Sequence, residues 1–225
     1  CFVHTQCGSL IFPLFLGPWD LVNNAGISFP SAPNEWLNKQ DFVNILNVNL
    51  LVIEVTLSLL SLVRKAQGCM VNISSIMGRV SLFGGGYCIS KYGVESFSDF
   101  LRRELSYFGV KVAIIEPGFF KTNVTNSEKF MIIDPRTGMV GGGNIPTPFL
   151  FLYRPEKIGI NGAKDQPRPV LVTDCMEHAL TACHPRTRYS PGLDAKLVYL
   201  PLSYLPSSLV DAIVYLGSPK PAKAL

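Results

Sequence analysis

Tyr87 and Lys91 stand four residues apart, so on a helix they share one face, one turn from each other. A phenol beside an ammonium has its anionic form favoured, which is expected to move the pKa of Tyr87 down from about 10 toward neutral pH. That describes a general base for an alcohol proton, and a general acid in the reverse direction. Upstream, the apolar run 69–73 ends in Ser74 and Ser75, two hydroxyls at the end of an expected strand. The same tyrosine–lysine spacing recurs at Tyr107 and Lys111 and at Tyr153 and Lys157. Gly109 and the start of a β-like run fall within the first of these, and Pro155 breaks a helix through the second. Neither has a strand ending in serine about a dozen residues upstream, so the Tyr87 pair is singled out.

The elements that must position this group are legible from periodicity. Residues 19–23 read as a short strand that ends at the polar turn Asn23-Asn24-Ala25-Gly26. From about 39 to 66, Phe42, Ile45, Leu46, Leu50, Ile53, Leu57, Leu60 and Val63 recur at three and four, which predicts one long helix stopped at Gly68. The run 69–73 is continuously apolar, as in a strand buried on both faces of a parallel sheet. The Tyr87 helix is expected to reach about 107 with Val94, Phe97, Leu101 and Leu105 facing inward, followed by a strand at 111–116 and the turn Pro117-Gly118. Strand, helix, strand, helix, strand predicts an α/β fold with a doubly wound parallel sheet, in which ligands meet the carboxyl ends of the strands. Asn23 to Gly26, Ser74 with Ser75, and Pro117 with Gly118 all fall there.

The remainder divides by composition. Residues 1–18 form a lead-in without a clear period, 19–128 the Rossmann-like catalytic portion, 129–171 a loop-rich insert, and 172–225 a C-terminal portion of the same domain. The Gly141 to Gly143 cluster follows no expected strand and lacks the spacing of a phosphate loop. A helix is expected at 174–184 and a turn with a short strand at 185–192. The apolar stretch 197–216 contains Pro201, Pro206 and Asp211, which argues for a lid or cap over an apolar substrate, with contact to a membrane surface as the second expectation.

Bulk properties exclude some classes. The 225 residues are enough for one domain with a sizeable core, at 48% hydrophobic and 16% charged. A net charge of +4 without a basic stripe argues against a nucleic-acid partner. The six cysteines are scattered, with neither a disulfide framework nor zinc-ligand spacing, so buried or half-buried free thiols and no metal are expected. His4, His178 and His184 are widely separated and read as surface or helix-end residues. Of the two glycosylation sequons, at Asn72 and Asn123, the first lies in an expected core strand. The apolar run 9–16 is far shorter than a membrane span, so no anchor is expected in this chain.

With Asn23 to Gly26, Asn49, Ser75, Tyr87 and Lys91, and Pro117-Gly118 followed by Thr122, the chain resembles the short-chain dehydrogenase/reductase family. It is most similar to the microsomal retinol dehydrogenases and the oxidative 3α/17β-hydroxysteroid dehydrogenases, across 19–128 and 173–225. The resemblance implies an oxidoreductase that interconverts a secondary or allylic alcohol and a carbonyl on a retinoid or hydroxysteroid, with NAD as cofactor and NADP as the alternative. It implies Tyr87 as base, Lys91 lowering its pKa and holding the nicotinamide ribose, Ser75 bonding the substrate oxygen, and Asn49 anchoring a water relay. Ser74 is the rival serine. Asn23, Asn24, Ala25, Gly26, Pro117, Gly118 and Thr122 would line the cofactor together with Tyr87 and Lys91. Placement at the endoplasmic reticulum membrane and self-association are further implications.

Nothing before Asn23 matches the glycine-rich turn that opens this family and receives the cofactor pyrophosphate. The sheet is therefore expected to be incomplete at the N-terminal side. A second expectation is a catalytically impaired, truncated isoform, acting as a binding partner or an unstable fragment.

Overall fold

The computed structural model describes residues 20–30, 34, 37–82, 85–120 and 170–217. The lead-in 1–18, Thr122, Asn123 and all but the last two residues of the 129–171 insert lie outside them. Four strands, β1 (Asp20–Asn23), β2 (Cys69–Ile73), β3 (Lys111–Ile115) and β4 (Arg188–Tyr189), form one parallel sheet in the order β1-β2-β3-β4. Leu21 pairs with Met70, and Met70 with Val112. Side chains alternate across a strand, so this register sends Leu21, Met70 and Val112 to one face and Val22, Val71 and Ala113 to the other.

Helices cover both faces. The first set packs with Val63 of α2 (Leu51–Ala66) and Leu101 and Leu105 of α3 (Gly86–Leu105). The second packs with Ala179, Val172 and Met176 of α4 (Val170–Thr181). The continuous apolar runs of β2 and β3 follow from this double covering. Each fully buried aliphatic side chain contributes about 1.5–3 kcal/mol. The fold is an α/β doubly wound parallel sheet of Rossmann type, and β1 is an edge strand among the described residues.

The single helix expected at 39–66 is two. α1 (Lys39–Asn49) opens on a capping box between Asn38 and Asp41, and Leu50 leaves helical geometry at φ −94°, ψ 4° before α2 begins. The leucine packs against Gly93 of α3, where a Cβ would stand 3.0 Å from Leu50 Cδ2. A one-residue break hardly disturbs a three-and-four repeat, so periodicity passes over it. Leu57, one of the apolar positions of that repeat, is 59% exposed, and the polar Thr56 takes the fully buried position. The stop also differs: Gln67, not Gly68, adopts the left-handed conformation (φ 50°), and Gly68 N–H closes the turn onto Val63 O. The stretch Lys39–Ala66 is long and apolar enough to cross a membrane, and here it packs through Ile45, Thr56 and Val63 onto the sheet and α3.

Two smaller expectations also shift. α4 starts at Val170, inside the segment read as loop, and stops at Thr181 rather than 184. Beyond β4 the chain forms a π-helical turn (Ala195–Tyr199), α5 (Leu200–Ser203) and α6 (Ser207–Gly217). Tyr199 and Ala195 are buried against Ile76, Met77 and Cys88, whereas Leu197 and Leu216 are 72% and 83% exposed. Cys69 and Cys88 are buried and Cys175 is half-buried, but Cys183 is exposed.

Candidate active site

The carboxyl ends of β1, β2 and β3 bring the singled-out residues together. β2 runs into Ser74 and Ser75, whose backbone is held by Ser74 N–H to Ile115 O at 2.8 Å. Ser75 caps a short 3₁₀ turn (Ile76–Gly78), its hydroxyl accepting from Met77 N–H at 3.2 Å, and it lies near enough to the Tyr87 phenol to favour its anionic form. Ser74 turns the other way, donating to the Lys91 carbonyl at 3.4 Å and reaching Glu95. Gly78 admits this packing: a Cβ there would lie 2.8 Å from Ser74 Oγ and 3.0 Å from the Lys91 carbonyl. The two serines are thus divided between tyrosine and helix backbone.

On α3, Lys91 Nζ lies 5.7 Å from the centre of the Tyr87 ring and donates to the Ile73 carbonyl at 2.9 Å. Burial lowers the Lys91 pKa to about 8, with Glu95 one turn along acting in the opposite direction. The expected lowering of Tyr87 does not occur. Burial pushes its phenol above the ordinary value, the Ser75 hydroxyl works downward, and Cys88 adds a smaller upward push. The cost of desolvating a phenolate dominates here, and spacing along a helix carries no sign of it.

Asn49 is the last residue of α1 and is buried. Its Oδ1 accepts from Ile27 N–H at 2.7 Å, and its Nδ2 donates to Ile27 O at 2.9 Å and to Ser90 Oγ at 2.8 Å. It therefore ties the loop after β1 to α3. In that loop Gly26 is adjacent to both partners, a Cβ there standing 3.5 Å from Asn49 Oδ1 and 3.6 Å from Lys91 Nζ. Asn24 and Ala25 are exposed. Asn23 points along the sheet instead, donating through Nδ2 to Asn72 Oδ1 at 2.8 Å and Thr56 Oγ1 at 3.1 Å. Asn72 in turn donates to Ser98 Oγ at 2.8 Å, so the sequon asparagine is fully buried and engaged.

At the end of β3, Pro117 O accepts from Ile76 N–H at 3.0 Å, and Gly118 N–H donates to Pro191 O at 3.0 Å. One flank of the site is apolar, with Tyr87, Leu82, Phe119 and Leu200 packed onto Met77 and Tyr199. Among the described residues no group of three or more His, Cys, Asp or Glu is placed to hold a metal.

Sequence reasoning passed over a buried ionic cluster behind Lys91. Arg188 of β4 meets Glu95 Oε2 at 3.1 Å, Asp99 Oδ2 at 2.9 Å and Glu116 Oε1 at 2.9 Å, and Arg79 meets Glu116 Oε1 at 3.5 Å. Burial and then the Glu116 carboxylate push Glu95 up to about 7, against Ser74 and Arg188. Glu95 follows Lys91 at helical spacing, which was a usable signal. Arg188 lies on a two-residue strand far along the chain, and its charge partners had no signal in spacing.

The chain matches the family model for short chain dehydrogenases over residues 16–131. It is 64% identical over 219 residues to mouse retinol dehydrogenase 16, and 53% identical over 215 residues to human 17-beta-hydroxysteroid dehydrogenase type 6. In both cases the match covers 93% of this chain and 67% of the relative, so the chain spans about two thirds of their length. The fold is similar to a short chain dehydrogenase from Burkholderia cenocepacia J2315 solved in complex with NADP, at a TM-score of 0.62 and 18% identity over 86% of this chain and 68% of that one. The chain belongs to the short-chain dehydrogenase family.

Proposed function

We propose that the chain is a nicotinamide-dependent oxidoreductase that interconverts an alcohol and a carbonyl on a lipophilic substrate, a retinoid or hydroxysteroid. The observation that carries this reading is the convergence of Ser75, Tyr87, Lys91 and Asn49 at adjoining strand ends. The identities to a retinol dehydrogenase and a hydroxysteroid dehydrogenase support the substrate class. The apolar flank beside Tyr87 suits such a substrate.

The donor set fits the nicotinamide half of the cofactor. The Lys91 ammonium and the Asn49 amide adjoin Gly26, whose missing side chain leaves the approach open. Lys91 and Gly26 would hold the ribose end, with Asn24, Ala25, Pro117 and Gly118 beside it. Asn23, engaged with Asn72 and Thr56, would act by fixing the sheet under that turn. When bound, the cofactor supplies the hydride acceptor in oxidation and the donor in reduction, as NAD or NADP.

Tyr87 takes the hydroxyl proton as the alcohol is oxidised and returns it in reduction. Ser75, beside the Tyr87 hydroxyl, orients the substrate oxygen against it. Because burial disfavours the phenolate, Lys91 acts by being charged when the proton leaves Tyr87. Asn49 fixes the loop after β1 against α3 and so sets where Lys91 and Gly26 stand.

The test is a titration of the purified chain with NADH, followed by turnover of all-trans-retinol and of an androstane diol with NAD and with NADP. Fluorescence quenching at micromolar NADH together with turnover is the expected result. Absence of binding at millimolar cofactor would overturn the reading. Placement on a membrane surface is a separate proposal that rests on the same relatives, and flotation of the chain with liposomes tests it.

A further inference from the structure

The turn after β3 is gripped from the far end of the chain. Gly118 N–H donates to Pro191 O at 3.0 Å, and Phe119 N–H donates to Asp194 Oδ2 at 2.7 Å. Asp194 is 5% exposed, and its second carboxylate oxygen, Oδ1, has no hydrogen-bond partner among the described residues. Both oxygens stand where a side chain on residue 118 would begin, so a Cβ there would collide with the carboxylate. Backbone conformation gives no other reason for glycine: the described glycines of left-handed φ are Gly85, Gly109 and Gly192. Behind the carboxylate, Tyr199 is buried and its ring centre lies 5.7 Å from that of Phe119.

Left without an acceptor, the Phe119 N–H would lower stability, and Asp194 supplies one while packing over Gly118. Such a group kept at a strand end beside the candidate site points to positioning. We infer that Asp194 is a positioning residue that locks the Pro117–Phe119 turn, its carboxylate filling the space of the side chain that Gly118 lacks. The inference rests on the proposed function, in which this turn borders the nicotinamide. Gly118 and Asp194 are then one device: the glycine is required because the carboxylate is there.

The test reads NADH affinity of the full chain by fluorescence quenching, for Asp194→Ala, Asp194→Asn, Gly118→Ala and the Asp194→Ala/Gly118→Ala pair. Asp194→Ala is expected to weaken NADH about tenfold, the scale of one lost charge-assisted hydrogen bond. Asp194→Asn keeps an acceptor of the same shape for Phe119 N–H and is expected to restore most of that loss, which distinguishes positioning of the turn from a general loss of fold. Gly118→Ala is expected to weaken NADH as well, and the double variant is expected to bind better than the sum of the two single losses allows, because removing the carboxylate makes room for the methyl group. If Asp194→Ala does not fold, the comparison of Gly118→Ala with Gly118→Ala/Asp194→Asn decides: equal weakening in both supports the inference, since the amide fills the same space, and relief by asparagine overturns it. Wild-type affinity in Asp194→Ala, or strictly additive losses in the pair, overturns the inference alone. Absence of NADH binding by the unaltered chain overturns the proposed function and this inference together.

Discussion

Lys91 Nζ and the Ile73 carbonyl are joined by a 2.9 Å hydrogen bond, so the last peptide of β2 holds the lysine of α3 in place. The backbone carbonyl of the same lysine receives the Ser74 hydroxyl. Strand end and helix are thereby locked at the level where Ser75 meets Tyr87, and the predictions below follow from that lock.

Replacing Tyr87 by phenylalanine removes the proton acceptor and leaves the ring that packs among Met77, Leu82 and Phe119. Turnover is expected to fall by at least about 10²-fold, the scale of general acid–base catalysis. NADH affinity and the thermal midpoint should stay near wild type. Steady-state rates beside a binding titration check this.

Lys91 carries a pH signature. Its pKa drops from 10.5 to about 8 on folding. Between those values the unfolded chain holds more protons than the folded one, so stability rises with pH across that window. Lys91→Met abolishes this contribution. Urea midpoints measured from pH 7.5 to 10 should climb less steeply for the variant than for wild type.

Glu95 gives the opposite slope at lower pH. Its carboxyl is raised from 4.5 to about 7, so the folded chain binds more protons across that interval and stability falls as pH rises through it. Glu95→Gln should flatten the dependence between about pH 5 and 7, as read from thermal midpoints in matched buffers.

Removing Arg188 strands carboxylates. Glu116 is fully buried and Glu95 nearly so, and both are paired to this guanidinium. Arg188→Ala is expected to destabilise the fold by about 3 kcal/mol, the lower end of the range for stripping a partner from buried charge. Arg188→Lys should recover part of it, because an ammonium cannot reach Glu95, Asp99 and Glu116 with the same fork. Denaturant unfolding of the two variants provides the comparison.

The parallel strands 69–73 and 111–115 were legible because burial on both faces leaves an unbroken apolar run. The clustering of the candidate residues was legible because Tyr87 and Lys91 lie on one helix and the serines immediately end a strand. What escaped was set by contacts between distant segments. The break at Leu50 answers to Gly93 across the α1–α3 packing. The exchange of Thr56 for Leu57 in the interior answers to Asn23 on a strand. The Tyr87 phenol is raised because a desolvation cost, invisible in spacing, exceeds the downward pull of the Ser75 hydroxyl. Asp194 had no motif around it, and only its approach to Gly118 reveals it.

The bonds Ile114 N–H to Thr187 O, Glu116 N–H to Tyr189 O and Gly118 N–H to Pro191 O stitch β4 onto β3. The apolar face of α4 is buried on β2 and β3 in the same way. A polypeptide ending shortly after Phe120 and a second one starting shortly before Val170 therefore contain all these mating surfaces. Co-expressed as separate pieces, they are expected to assemble and co-purify, with the C-terminal piece supplying a strand and a helix in trans. Failure of the two pieces to associate would show that the covalent link is needed to bring those edges together.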